Sequence, residues 1–145
     1  GANGQSASQH IGFYPKSAWK TSLTDAPVEG KWVDNGQHEY NAYYEISVQP
    51  ESLISAMTRI LQLRSMNYDI DNYNCTDWAI AVWRAAASPG IWFDIPLFHL
   101  PGSLIPGSST PQGLYVKIQA LQSEGATGAE IPVVGWAGNS SGPCQ

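Results

Sequence analysis

The sequence predicts an α+β fold, with a small antiparallel sheet packed against two or three helices. Three observations carry this. Residues 40–48 alternate apolar and polar without a break. Two later segments repeat apolar residues at helical spacing behind good start signals. Strand-like runs stand both before and after those helices, which is the pattern of segregated strands and helices rather than of repeated strand–helix units.

Taken in order, residues 1–9 are small and polar and read as a loosely held, processed end or a hairpin loop. His10-Ile11-Gly12-Phe13-Tyr14 alternates like a strand, and Pro15 ends it. Residues 16–30 contain Pro27 and Gly30 and read as a loop, followed by a short strand at Lys31-Trp32-Val33. Asp34-Asn35-Gly36 is a turn signal. In the strand that follows, Tyr40, Ala42, Tyr44, Ile46 and Val48 share one face. Pro50 and Glu51 open a helix in which Leu53, Ile54, Met57, Ile60 and Leu61 recur at helical spacing. A polar, aromatic loop spans 67–74. A second helix starts at Asn74 or Cys75 and stops at Pro89-Gly90, with Cys75, Ala79, Val82 and Ala86 on one stripe flanked by Trp78 and Trp83. Residues 88–109 form a long loop that still packs. Thr110-Pro111 caps a third helix that aligns Leu114, Ile118 and Leu121, and Gly125–Gly128 is a turn. Ile131–Trp136 reads as a last strand, and 138–145 as a flexible tail. No internal repeat or domain boundary interrupts 1–145, so one domain is expected.

Composition narrows the function classes. Hydrophobic residues make up 43%, enough for a core, while charged residues are only 13%. The surface must therefore use amides, hydroxyls and amphipathic aromatics, and six Trp and seven Tyr supply the last. Net charge is -5 and no basic cluster exists, so neither nucleic acid nor an anionic membrane surface is an expected partner. No apolar stretch is long enough to span a bilayer, and no signal peptide is present. No zinc spacing or phosphate-cradling glycine motif occurs, and no metal or cofactor is implied. Asp69 and Asp71 are spaced like oxygen ligands, but the rest of a calcium loop is missing, so a solvated loop is expected there.

Cys75 is the candidate nucleophile. At a helix start the macrodipole and unpaired N–H groups favour thiolate, and those amides can form part of an oxyanion hole. Two plain structural alternatives exist: a small buried core residue, or a disulfide to Cys144. A cysteine nucleophile needs a base, and the chain has three histidines. His99 lies in a Pro-rich loop and reads as a bystander. His10 lies on the first strand, and His38 shares parity with the apolar face of 40–48 and is expected to point inward; the sequence does not choose between them. Tyr73, Asn74, Asp77 and Trp78 surround Cys75 and are the candidates for substrate contact. Asn74 and Asp77 also suit the simpler role of stabilising the helix start.

The segments Ile11-Gly12-Phe13-Tyr14-Pro15 and Asn72-Tyr73-Asn74-Cys75-Thr76-Asp77-Trp78-Ala79 resemble a group of secreted bacterial domains. That group carries a Gly-Phe-Tyr-Pro motif, a His-x-Tyr element, here His38-Glu39-Tyr40, and an Asn-Cys-Thr helix start. The order also resembles circularly permuted NlpC/P60-like proteins, including the lecithin–retinol acyltransferase group. The resemblance implies a permuted papain-like fold and thiol-based hydrolysis or transfer at an amide or ester. It also implies a Gly-His-x-Phe-type strand ahead of Gly12, which this sequence does not contain.

Two functions follow as expectations. One is a secreted or periplasmic cysteine amidase acting on peptide or cell-wall amide bonds, with Cys75 as nucleophile and His38 or His10 as base. The other is a non-catalytic extracellular module that binds carbohydrate or peptide on the same fold. A secreted toxin with the same hydrolase chemistry is a variant of the first.

Overall fold

A computed structural model describes residues 7–18, 20 and 26–141, and the fold is α+β. Strand β1 (Ile11–Pro15) pairs antiparallel with β2 (Val28–Asp34), in the register Phe13 opposite Trp32 and Pro15 opposite Gly30. The far end of β2 pairs with β5 (Asn67–Tyr68), giving a three-stranded sheet in the order β1-β2-β5. Two short ladders complete the strands. β3 (Glu39–Tyr40) pairs with β7 (Gly135–Trp136), and β4 (Tyr43–Tyr44) pairs with β6 (Ala129–Glu130). Helix α1 (Pro50–Gln62) packs on α2 (Cys75–Ala86), α2 packs on β1, and α3 (Pro111–Ser123) packs on β6.

Phe13 sits at the centre and is 1% exposed. Its ring stacks on Trp78 at 6.1 Å and meets the edge of Tyr73 at 6.0 Å. Leu63 and Tyr68 complete the buried cluster, and Ile60, Cys75 and Val82 pack against it. Gly30 is required here, because a β-carbon at that position would fall on the Phe13 ring. A second aromatic cluster joins Tyr44, Trp83 and Phe93 with ring centroids 5.1–5.8 Å apart.

Several expected elements differ in detail. The region 16–30 is not all loop, because β2 begins at Val28. The continuous strand over 40–48 is absent. Its residues pair with two different partners, β7 and then β6, and the chain bends between them at Asn41. The alternation survives as burial only: Ala42, Tyr44 and Ile46 are half-buried, while Tyr40 and Val48 are exposed. Of the strand over 131–136 only Gly135–Trp136 forms, as β7; β6 lies ahead of that range, and Pro132 between β6 and β7 has no N–H to contribute to a ladder.

Helix α1 has the expected span, but it buries Ala56 rather than the large residues. Leu53, Ile54, Met57 and Leu61 are each more than half exposed. In α2 the buried residues are Thr76 and Trp78, and Ala79 is exposed. The bulk of Trp78 against Phe13 decides which side faces in. The described parts of the two chain ends are paired rather than loose: Ser8 and Ser141 exchange backbone hydrogen bonds of 3.0 and 2.7 Å. Cys144 lies outside the described residues, and the Cys75 thiol is free.

Candidate functional site

The start of α2 is fixed by a reciprocal cap. The Asn74 Oδ1 accepts the Thr76 N–H at 2.9 Å, and Asp77 Oδ2 accepts the Asn74 N–H at 3.0 Å. The Asn74 amide nitrogen also donates to the carbonyls of Ile70, at 3.1 Å, and Ser109, at 2.7 Å. Asn74 therefore ties the 67–74 loop and the end of the 88–109 loop to the first turn of α2. It is 4% exposed and has no hydrogen-bonding capacity left for a ligand. The free first-turn amides expected from the sequence are largely consumed, because the cap engages the N–H groups of Thr76 and Asp77.

Cys75, the first residue of α2, is half-buried and lines a cavity of about 330 Å³. β1 contributes Ile11, Gly12, Phe13 and Tyr14 to the wall, the turn after β2 contributes Asn35, and α2 adds Trp78 and Ala79. Leu114, Tyr115 and Ile118 of α3 close the far side. Behind the wall, Cys75 packs against the core cluster that contains Tyr68. Burial, and next the charge of a Cys75 thiolate, push the Tyr68 phenol up to about 12. Tyr68 is therefore neutral at ordinary pH and not a base. Tyr14 is near enough to add to that rise, and its hydroxyl receives a 3.1 Å hydrogen bond from Asn35 Nδ2.

The structure does not bring the expected base to the thiol. All three histidines are described, and none is among the residues lining the cavity. His10 Nε2 hydrogen-bonds Ser8 Oγ at 3.1 Å, and its backbone N–H donates to Ser140 Oγ. His38 is exposed rather than inward-facing, because its strand turns away to join β7. Both rings lie near Asp34 instead, whose carboxylate accepts from the Gly36 N–H and from Ser140 Oγ, each at 2.8 Å. These bonds, the Gly36 one first, hold the Asp34 carboxyl below its ordinary value. His99 is exposed in its loop.

Of the other expected contact residues, Trp78 lines the cavity, is 4% exposed, and has a buried indole N–H without a protein partner. Tyr73 belongs to the core, with an unpartnered buried hydroxyl, and its phenol is raised chiefly by burial. Asp77 caps α2 and faces a separate cavity beside Arg84 and Asp94. Asp69 is spent on its own turn: Oδ1 accepts the N–H groups of Asp71 and Asn72, and Oδ2 accepts the Asn72 amide. Among the described residues no group of three His, Cys, Asp or Glu could hold a metal ion, and no helix is long and apolar enough to cross a membrane.

Sequence reasoning did not single out Tyr14, Asn35 or Tyr68 as site residues. Gly12, inside the Gly-Phe-Tyr-Pro motif, and the Asp34-Asn35-Gly36 turn were the available signals. No family model, curated protein or solved structure matches the chain.

Proposed function

We propose that the chain is a thiol hydrolase of the amidase type, with Cys75 as nucleophile, on a permuted papain-like fold and in a secreted or periplasmic setting. The observation that carries the reading is the free Cys75 thiol on the wall of a small, mostly apolar cavity, at the first residue of a firmly capped helix. Pockets of this kind, apolar with a few convergent polar groups, are where small substrates bind.

In the reaction, the Cys75 sulfur loses its proton to solvent water at the cavity mouth and bonds to the substrate carbonyl carbon. The carbon–nitrogen bond then breaks, and the nitrogen takes a proton from water and leaves as the amine. A second water cleaves the thioester, releasing the acid and restoring the thiol.

The position of the histidines favours a second reading, a non-catalytic extracellular module that binds peptide or glycan. No imidazole lines the cavity, while Trp136 and Tyr40, on paired strands, expose rings suited to stacking on sugars. Amine release from N-acetyl-leucine p-nitroanilide separates the two. The hydrolase reading expects turnover that disappears in Cys75→Ala. No turnover leaves the binding module, and turnover that survives that substitution overturns Cys75 as the nucleophile.

A further inference from the structure

The Cys75 cavity carries no formal charge on its wall. Among the described residues lining it there is no Asp, Glu, Lys, Arg or His. The polar groups that remain are the Asn35 and Asn41 amides, the Tyr14 and Tyr115 hydroxyls, the Trp78 indole N–H, Thr76, and the thiol itself. Such a wall can hydrogen-bond a neutral ligand but cannot neutralise an ion. A carboxylate, phosphate or ammonium taken from water into it would lose solvation without gaining a counter-charge.

One of the wall amides is also left incomplete. Asn35 spends its Nδ2 on the Tyr14 hydroxyl at 3.1 Å, while its Oδ1 is buried with no partner. A buried acceptor without a donor costs about 1–3 kcal/mol; Oδ1 is covered, so a ligand N–H reaches it and recovers that deficit only as the Asn35 side chain turns towards the cavity. Gly12 makes this placement possible, since a β-carbon there would fall on the Asn35 amide. The apolar side chains of Ile11, Leu114 and Ile118 line the same space and suit an aliphatic group beside that N–H.

We infer that the cavity takes an uncharged amide-bearing segment with an aliphatic side group, read through an N–H that donates to Asn35 Oδ1, and that it rejects the same segment carrying a charge. This rests on the cavity being the ligand site of the proposed function, and it holds whether or not Cys75 cuts what is bound. It makes Asn35 a specificity-determining residue, and it narrows the substrate to interior amide bonds flanked by neutral groups rather than chain ends.

The test uses Cys75→Ala protein, which cannot turn over, and two probes followed by NMR titration. N-acetyl-leucine methylamide is neutral, and N-acetyl-leucine differs from it by carrying a carboxylate. The expected result is saturable binding of the methylamide, with the acid at least about ten-fold weaker. Adding Asn35→Leu is expected to weaken the methylamide by about five-fold or more. Equal or tighter binding of the acid, or no saturable binding of the methylamide, overturns the inference. These probe results need only the unmodified Asn35, so they stand even where Asn35→Leu fails to fold. Methylamide binding together with failed anilide turnover by the wild-type chain would remove the hydrolase reading alone.

Discussion

Gly12 and Asn35 share one volume: the side-chain amide of Asn35 lies where a β-carbon on residue 12 would be. The glycine of β1 therefore positions a side chain of the turn after β2, and the antiparallel pairing of the two strands brings them together. Gly12→Ala should push the Asn35 amide off Tyr14 and out of the cavity wall. The displaced group is a movable side chain, so the stability loss should stay near 1 kcal/mol. Methylamide affinity should fall several-fold. Thermal melts and probe titration of the same variant check both halves, and an unchanged affinity would show that Asn35 does not read the ligand.

Asn74 is the joint of the site. Its side chain accepts one first-turn amide and supplies donors to two loop carbonyls. Asn74→Ala removes the cap and leaves those carbonyls without their donors, and should cost about 2–4 kcal/mol. Asn74→Asp keeps the acceptor and loses the donors, so it should lie between wild type and alanine. Urea denaturation orders the three proteins. Equal stability of the aspartate and wild-type chains would show that the loop contacts matter little.

Tyr68 makes the pairing with Cys75 visible in absorbance. Its phenol should ionise near pH 12. The folded value lies above the unfolded one of 10.0, so this tyrosine's contribution to stability is complete below pH 10 and is lost as pH rises towards 12. Cys75→Ala removes the neighbouring thiolate but not the burial. The phenol should then titrate lower, yet still above 10.0. Spectrophotometric titration at the tyrosinate band reads both proteins, and an unchanged Tyr68 value in the variant would mean that the sulfur and the hydroxyl are not in contact.

Asp34 ties the carboxy-terminal segment to the β2 turn through Ser140 and Gly36. Its carboxyl titrates below the ordinary 3.8. The contribution is therefore present above that value and is lost as pH falls through the lower, folded value. The protection factors of the Gly36 and Ser141 amides should fall on acidification below about pH 4, and Asp34→Asn should remove that dependence. Exchange that remains protected in acid would show that the segment is held by the Ser8–Ser141 pairing alone.

The sequence and the structure agree where local chemistry decides the outcome. Asn74 and Cys75 begin α2 as the cap pattern requires, and Thr110 caps α3 through its Oγ1 and the Gly113 N–H. They part where distant pairing decides. The alternation is genuine in burial from Ala42 to Ile46, but no local signal says that Tyr40 and Tyr44 belong to different ladders. The apolar stripe of α1 has the right period, yet small Ala56 forms the contact side and the large residues face out. His38 follows the same logic, since its inward parity assumed a strand that turns away. Tyr14, Asn35 and Tyr68 meet at the site only through the register of β1, β2 and β5, which single-chain patterning does not encode.

The central claim is that the Cys75 thiol is presented to ligands by the folded chain. Peptide mapping of iodoacetamide-treated protein measures this directly, because it follows Cys75 separately from Cys144. The account predicts that Cys75 is labelled in the native state and that N-acetyl-leucine methylamide slows the labelling. Alkylation of Cys75 only after unfolding, indifferent to the methylamide, would contradict it.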